Sequence, residues 1–102
     1  MSRNPKLGVE RHRITWRHVR CRLVHTRNYL DQGWSQLEIE VVNPKDAPLP
    51  ITETGYRAHY ISEDDLVAAG GAIAFFNEWL DREAKTKQYA KAENKWRQLT
   101  LF

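Results

Sequence analysis

The chain has 102 residues, 41% of them hydrophobic, including four Trp, four Tyr and three Phe, which suits one domain with a modest core. Its single cysteine, Cys21, excludes an intrachain disulfide and fits a reducing compartment. No stretch approaches the roughly 20 apolar residues that span a bilayer. The expectation is a cytoplasmic protein that does not enter a membrane.

The net charge of +3 conceals three blocks of different sign. Residues 1–30 contain eight basic residues and one acidic residue, and residues 31–81 contain two basic and ten acidic residues. Residues 82–102 contain six basic and two acidic residues. This layout is compatible with nucleic-acid binding, and equally with pairing between the first two blocks.

Residues 1–12 are predicted to form a flexible basic arm. Residues 13–25 are predicted to form a strand because apolar and polar residues alternate along them. The parity of this alternation changes between Trp16 and Val19, which indicates a β-bulge or a strand with two buried ends.

After a loop at residues 28–33, residues 34–42 alternate most clearly and predict a second strand. Antiparallel pairing with the first strand would bring apolar residues together on one face and opposite charges together on the other. The expected pairs are Leu23 with Leu37, Cys21 with Ile39 and Val19 with Val41 on the core face, and Arg22 with Glu38 and Arg20 with Glu40 on the outer face.

A proline-rich loop at residues 43–50 precedes a third predicted strand at residues 55–61. Tyr56 and Tyr60 share one face of this strand and are interpreted as aromatic core residues. The alternative is that the polar segment from Thr52 to His59 lines a pocket.

Ser62 is a predicted N-cap, followed by a short helix that ends at Gly70-Gly71. A long helix is predicted from Ala72 into the late eighties, with an apolar stripe. Residues 91–102 should form an exposed tail beyond a single domain at residues 13–90. The predicted fold is α+β: a small antiparallel three-stranded sheet followed by a short and a long helix packing on one face. The predicted stripe consists of Ile73, Phe76, Trp79 and Leu80.

No metal site or other cofactor is expected, because one cysteine and four scattered histidines do not supply the usual ligand spacing. Glu38 and Glu40 share a strand face, as metal-binding carboxylates of a nuclease can. Arginines opposite them would instead make a solvated ladder of salt bridges. A small nuclease-like enzyme is therefore the third hypothesis.

The basic N-terminal block predicts a nucleic-acid contact through Arg11, Arg13 and Arg17, interleaved with His and Trp side chains. Arginine binds phosphate in a bidentate manner and aromatic rings stack on bases. A small basic nucleic-acid-binding module is the second hypothesis.

The last five residues, Gln98, Leu99, Thr100, Leu101 and Phe102, resemble the bacterial sliding-clamp-binding pentapeptide, usually Gln-Leu-(Ser/Asp)-Leu-Phe. The resemblance implies that Leu101 and Phe102 enter an apolar pocket on the clamp and that Gln98 occupies a polar subsite. The alternative is that these apolar residues pack on their own domain. The first hypothesis is therefore a non-enzymatic accessory protein that docks on the DNA polymerase sliding clamp.

Overall fold

The computed structural model describes residues 8–27 and 33–100. Over this part the fold is α+β, as predicted, with four antiparallel strands in the sheet order β1-β2-β3-β4, followed by three helices. The prediction of three strands and two helices was wrong in number, for reasons given below. The elements are β1 (Gly8–Trp16), β2 (Val19–Arg27), β3 (Trp34–Asn43), β4 (Tyr56–Ser62), α1 (Glu63–Ala68), α2 (Ala72–Glu83) and α3 (Lys87–Thr100).

The additional strand arises from a two-residue hairpin turn at Arg17 and His18, with φ of 46° and 72°. Two consecutive positive φ values suit the tightest β-hairpins, but the usual residues there are Asn and Gly. Arg17 and His18 therefore carry no turn signal, and the parity change after Trp16 marks a hairpin turn rather than the predicted β-bulge or strand with two buried ends. The segment predicted as one strand is the end of β1 followed by most of β2.

Part of the segment predicted as a basic arm belongs to the sheet instead. Residues 8–12 form the first half of β1, where Gly8 pairs with Arg27 and His12 with Leu23. Pairing with β2 satisfies the backbone hydrogen bonds on that side of the strand. Residues 1–7 and the predicted loop residues 28–32 lie outside the described part of the chain.

The register between β2 and β3 differs from the prediction by two residues. Leu23 lies opposite Ile39, Arg22 opposite Glu40, and Arg20 opposite Asn43, with an irregularity between Arg20 and Cys21. A shift of two residues keeps every side chain on its predicted face, so the alternation alone could not distinguish these registers.

The core lies between the inner face of the sheet and the helices. Leu23, Leu37 and Ile39 on the sheet and Phe76 and Leu80 on α2 are fully buried. Val19 and Cys21 are buried as predicted, and Val41 is half-buried. Burial raises the pKa of the Cys21 thiol to about 11, so this side chain remains neutral within the core.

The faces of β4 are the reverse of those predicted. Ile61 is buried, and the ring of His59 lies 5.4 Å from that of Phe75 and 5.0 Å from that of Trp79. Rings from α2 thus pack against this face of β4, and the tyrosines of β4 point away from the core.

The short helix α1 begins as predicted, because the Ser62 hydroxyl accepts a 3.2 Å hydrogen bond from the backbone N–H of Asp65. The predicted long helix is in fact α2 and α3. The helical segment is interrupted at Thr86. Its hydroxyl donates to the carbonyl of Glu83 and accepts from the backbone N–H of Tyr89. A threonine within a helix-compatible stretch was missed as an N-cap.

Helix α3 is attached to the core chiefly by Tyr89, which is 6% exposed and packs edge-to-face on Trp16 with ring centroids 5.8 Å apart. Trp96 is half-buried against the same core. Helix α3 continues to Thr100, and residues 91–99 are mostly exposed. None of the helices in the described ranges is long and apolar enough to cross a membrane.

Candidate nucleic-acid interface

One face of the sheet is turned away from the helices, and we call it the open face. Side chains alternate along each strand, so residues between the core positions of β1 to β4 point outward. In the described part of the chain, no helix covers this face. Its principal members are Arg11, Arg13, Arg20, Arg22, Trp34, Gln36, Glu38, Glu40, Tyr56, Ala58 and Tyr60.

The β1–β2 half of the open face is basic. Arg13 lies directly opposite Arg22 in the ladder, and Arg11 is two residues from Arg13 on the same face. Arg22 donates to Glu40 at 2.7 Å, whereas Arg11, Arg13 and Arg20 form no ion pair with any residue in 8–27 or 33–100. Like charges opposite each other are unfavourable in a sheet. An anion bound there would relieve this repulsion.

The third predicted arginine, Arg17, lies apart from this face. It occupies the β1–β2 turn, and its guanidinium carbon is 4.9 Å from the ring centroid of Trp16. The structure therefore brings Arg11 and Arg13 together and places Arg17 at the end of the hairpin. Arg20 and Arg22 join the basic half of the open face.

The acidic residues of the open face are already engaged by neighbours. Glu40 accepts from Arg22, and Glu38 accepts a 2.6 Å hydrogen bond from the Tyr56 hydroxyl. That bond is the main cause that raises the pKa of Tyr56 to about 12, so the phenol stays protonated. Among the described residues, no group of three or more His, Cys, Asp or Glu side chains could hold a metal ion.

The β3–β4 half of the open face carries three large aromatic residues that were not predicted to contact nucleic acid. Trp34, Tyr56 and Tyr60 are 41%, 45% and 47% exposed. The exposure of the two tyrosines could have been predicted from the alternation along β4. Ile61 is buried, so Tyr56 and Tyr60 must point to the opposite face. Basic and aromatic residues thus share one exposed surface.

A separate polar cluster lies within the inner face, beneath α1 and the start of α2. The Nε2 atom of His25 is 3.0 Å from the Ser35 hydroxyl, and its Nδ1 is 3.5 Å from Glu10, which is bonded to Arg27. Burial, with the nearby Arg27 charge, lowers the pKa of His25. The order carboxylate–imidazole–hydroxyl is that of a nucleophilic triad. Ser35 is fully buried, however, so the cluster satisfies buried polar groups rather than presenting a nucleophile.

The segment from Thr52 to His59 contributes partly to an apolar groove. Thr52, Thr54 and Arg57 line it together with Tyr89 and Trp96 from α3. The Thr52 hydroxyl also donates to the Tyr56 carbonyl at 2.8 Å, which orders the turn before β4. Thr52, Thr54 and Arg57 thus line a groove, whereas His59 packs on α2.

The residues that resemble the clamp-binding peptide begin in the last turn of α3. Gln98 is exposed, Leu99 is 68% exposed at the edge of the apolar groove, and the helix runs to Thr100. Leu101 and Phe102 lie outside the described residues. An exposed leucine on an otherwise charged helix is a feature that a partner could use.

Fold and surface together define a small α+β domain whose helices cover one face of a four-stranded sheet. The chain belongs to the KlcB third-domain family, whose model matches residues 9–91. The match spans all four strands, α1, α2 and the beginning of α3. It ends before the five C-terminal residues. No curated protein and no solved structure shows significant similarity to the chain.

Proposed function

We propose that this protein is a non-enzymatic nucleic-acid-binding module that contacts phosphates through the open face. The observation that carries the proposal is the arginine cluster, in which Arg13 faces Arg22 across the ladder and lies beside Arg11. Such an arrangement is unfavourable alone and favourable beside a polyanion. The site of action is proposed to be the cytoplasm.

The test measures binding of labelled DNA and RNA by fluorescence anisotropy over a range of salt concentrations. The double variant Arg11→Gln/Arg13→Gln should weaken binding to all sequences alike. If each arginine contacts one phosphate, the slope of log affinity against log salt should decrease by about 1.4–1.8.

The matched control is Lys85→Gln/Lys87→Gln, which removes the same charge from exposed positions beside α3. It should leave the slope unchanged. An equal loss in both variants would mean that net charge alone drives binding. No binding to DNA or RNA at low salt would eliminate the proposal.

A second candidate function is docking on the bacterial sliding clamp through Gln98, Leu99, Thr100, Leu101 and Phe102. Two observations favour it: Leu99 is 68% exposed on a charged helix, and the peptide lies beyond the residues matched by the family model. The exposed Leu99 side chain could therefore contact a partner without disturbing the buried core. Clamp docking and nucleic-acid binding use different surfaces and are compatible.

Purified clamp immobilised for surface plasmon resonance would test this second function. We expect a roughly micromolar Kd, because so short a peptide buries little area and loses entropy on ordering. Leu101→Ala/Phe102→Ala should abolish binding, since each buried apolar side chain contributes about 1.5–3 kcal/mol.

The matched control for the clamp experiment is Val67→Ala, which trims a side chain that is 78% exposed on α1. It should bind the clamp like the parent protein. The tail variant should keep its melting temperature, because the described core extends no further along the chain than Tyr89 and Trp96. This function would be refuted if the tail variant were unfolded. It would also be refuted if the parent protein did not bind the clamp at high micromolar concentration.

A further inference from the structure

The aromatic half of the open face is unusual for a water-exposed sheet. Trp34, Tyr56 and Tyr60 each leave more than two-fifths of their surface exposed. The two tyrosines would be buried if they lay on the other face of β4. Trp34 is diagonal to Tyr60, because Trp34 pairs with Ser62 and Tyr60 pairs with Gln36. Diagonal positions in an antiparallel pair lie about 7–8 Å apart. These rings form one surface rather than scattered exposed residues.

The two tyrosine rings are held in place before any ligand arrives. The Tyr56 hydroxyl donates to Glu38 at 2.6 Å, and the Gln36 amide donates to the Tyr60 hydroxyl at 3.3 Å. Each bond reaches across to β3, so the tip of each ring is fixed to the neighbouring strand. Ordering a free side chain on binding costs affinity, and these tethers reduce that cost.

The spacing of the rings suits separated flat groups. Tyr56 and Tyr60 are four residues apart on one strand, which corresponds to about 13 Å, and the small Ala58 lies between them on the same face. Each ring leaves nearly half of its surface exposed. Every nucleobase has a π-face, and stacking on aromatic side chains is how single strands are bound without sequence preference.

The dimensions of the sheet disfavour a duplex. Four strands spaced about 4.8 Å apart measure about 14 Å between the outer strand axes, before side chains are added. The major groove of B-DNA is about 12 Å wide and admits a helix or a two-stranded ribbon. Bases inside a duplex are also already stacked and paired, so they are not available to the rings.

We propose that the open face binds single-stranded nucleic acid, with unpaired bases stacked on Trp34, Tyr56 and Tyr60 and phosphates on Arg11 and Arg13. This inference rests on the proposed nucleic-acid function and specifies its substrate class. Arg11 and Arg13 lie on β1 and the tyrosines on β4, at opposite edges of the sheet. The strand axes are about 14 Å apart, a distance that one extended single strand can cross. DNA and RNA single strands present the same phosphates and bases.

The experiment compares fluorescein-labelled single-stranded DNA, single-stranded RNA and duplex DNA of about 12 nucleotides, a length within the usual range of single-strand sites. Anisotropy titrations at fixed low salt should show tighter binding to one or both single strands than to the duplex. Tyr56→Ala and Tyr60→Ala should each weaken single-strand binding roughly 5- to 150-fold, the range for losing one stacked base.

Tyr56→Phe and Tyr60→Phe are the matched controls, because they keep the ring and lose only its hydroxyl. They should lie much closer to the parent protein than the alanine variants do. A second readout is tryptophan fluorescence, which should be quenched when a base stacks on Trp34. That quenching should be reduced in Trp34→Phe.

The outcomes separate the two proposals. The single-strand inference would be overturned, and the proposed function kept, by one pattern of results. In that pattern duplex and single strands bind equally, Arg11→Gln/Arg13→Gln loses binding, and the tyrosine variants bind like the parent protein. No binding to any of the three probes would overturn both. Preference for a single strand with loss in the alanine variants supports the inference, and the relative affinities for DNA and RNA identify which single strand is preferred.

Discussion

Replacing Tyr89 with alanine should release helix α3 while the sheet stays folded. Tyr89 is the only residue of α3 within the described range that is classed as buried, at 6% exposure. An aromatic side chain buries about 150–250 Å², and at about 25 cal/mol per Å² this contributes up to about 4–6 kcal/mol. A charged 14-residue helix is marginal in water without such packing.

Hydrogen–deuterium exchange followed by mass spectrometry measures this release. In Tyr89→Ala, amides of residues 87–100 should exchange much faster, whereas amides of β2 and β3 should keep their protection. Tyr89→Phe keeps the ring against Trp16 and should resemble the parent protein. Uniform loss of protection across the sheet would refute the reasoning, because it would show that α3 and the sheet unfold as one unit.

Three further predictions concern stability, each read from the urea midpoint. His18→Gly should stabilise the protein by roughly 1 kcal/mol, because glycine adopts the positive φ of the hairpin turn without steric cost; a lower midpoint would refute this. Ser62→Ala should destabilise it by about 1 kcal/mol through loss of the α1 cap, and an unchanged midpoint would show that the cap contributes little. Burial lowers the pKa values of His25 and His59 in the folded state, so the unfolded chain binds protons more readily. Stability should therefore fall as pH decreases through about 6.5; His59→Asn should reduce that dependence, and a midpoint that rises on acidification would contradict it.

The sequence predicted which residues of β2 and β3 face the core, because burial on one face imposes an alternation that is visible in the residues themselves. It could not predict their register, since pairings two residues apart satisfy the same alternation. The register also depends on the hairpin at Arg17 and His18, whose residues lack turn chemistry. Because this turn could not be recognised from its residues, β1 and β2 were predicted as a single strand.

Only the charged residues of the candidate site could be predicted from the sequence. Arg11 and Arg13 stand out in a basic segment, and the structure places both on the open face. Tyr56 and Tyr60 were assigned to the core because large aromatic residues are usually buried. Their exposure follows from the packing of Phe75 and Trp79 against His59, a tertiary contact that no local pattern encodes.

Buried and exposed residues alternate along the strands, so the open face can change without changing the core. In β2, residues at odd positions from Val19 to His25 are buried, whereas the even positions from Arg20 to Thr26 point outward. Substitutions on the outer set leave the buried packing intact, so the chemistry of the exposed face and the folding stability depend on interleaved but separable positions. The outer positions can therefore change at little cost in stability. A library randomised only at the open-face positions should retain a high proportion of folded members.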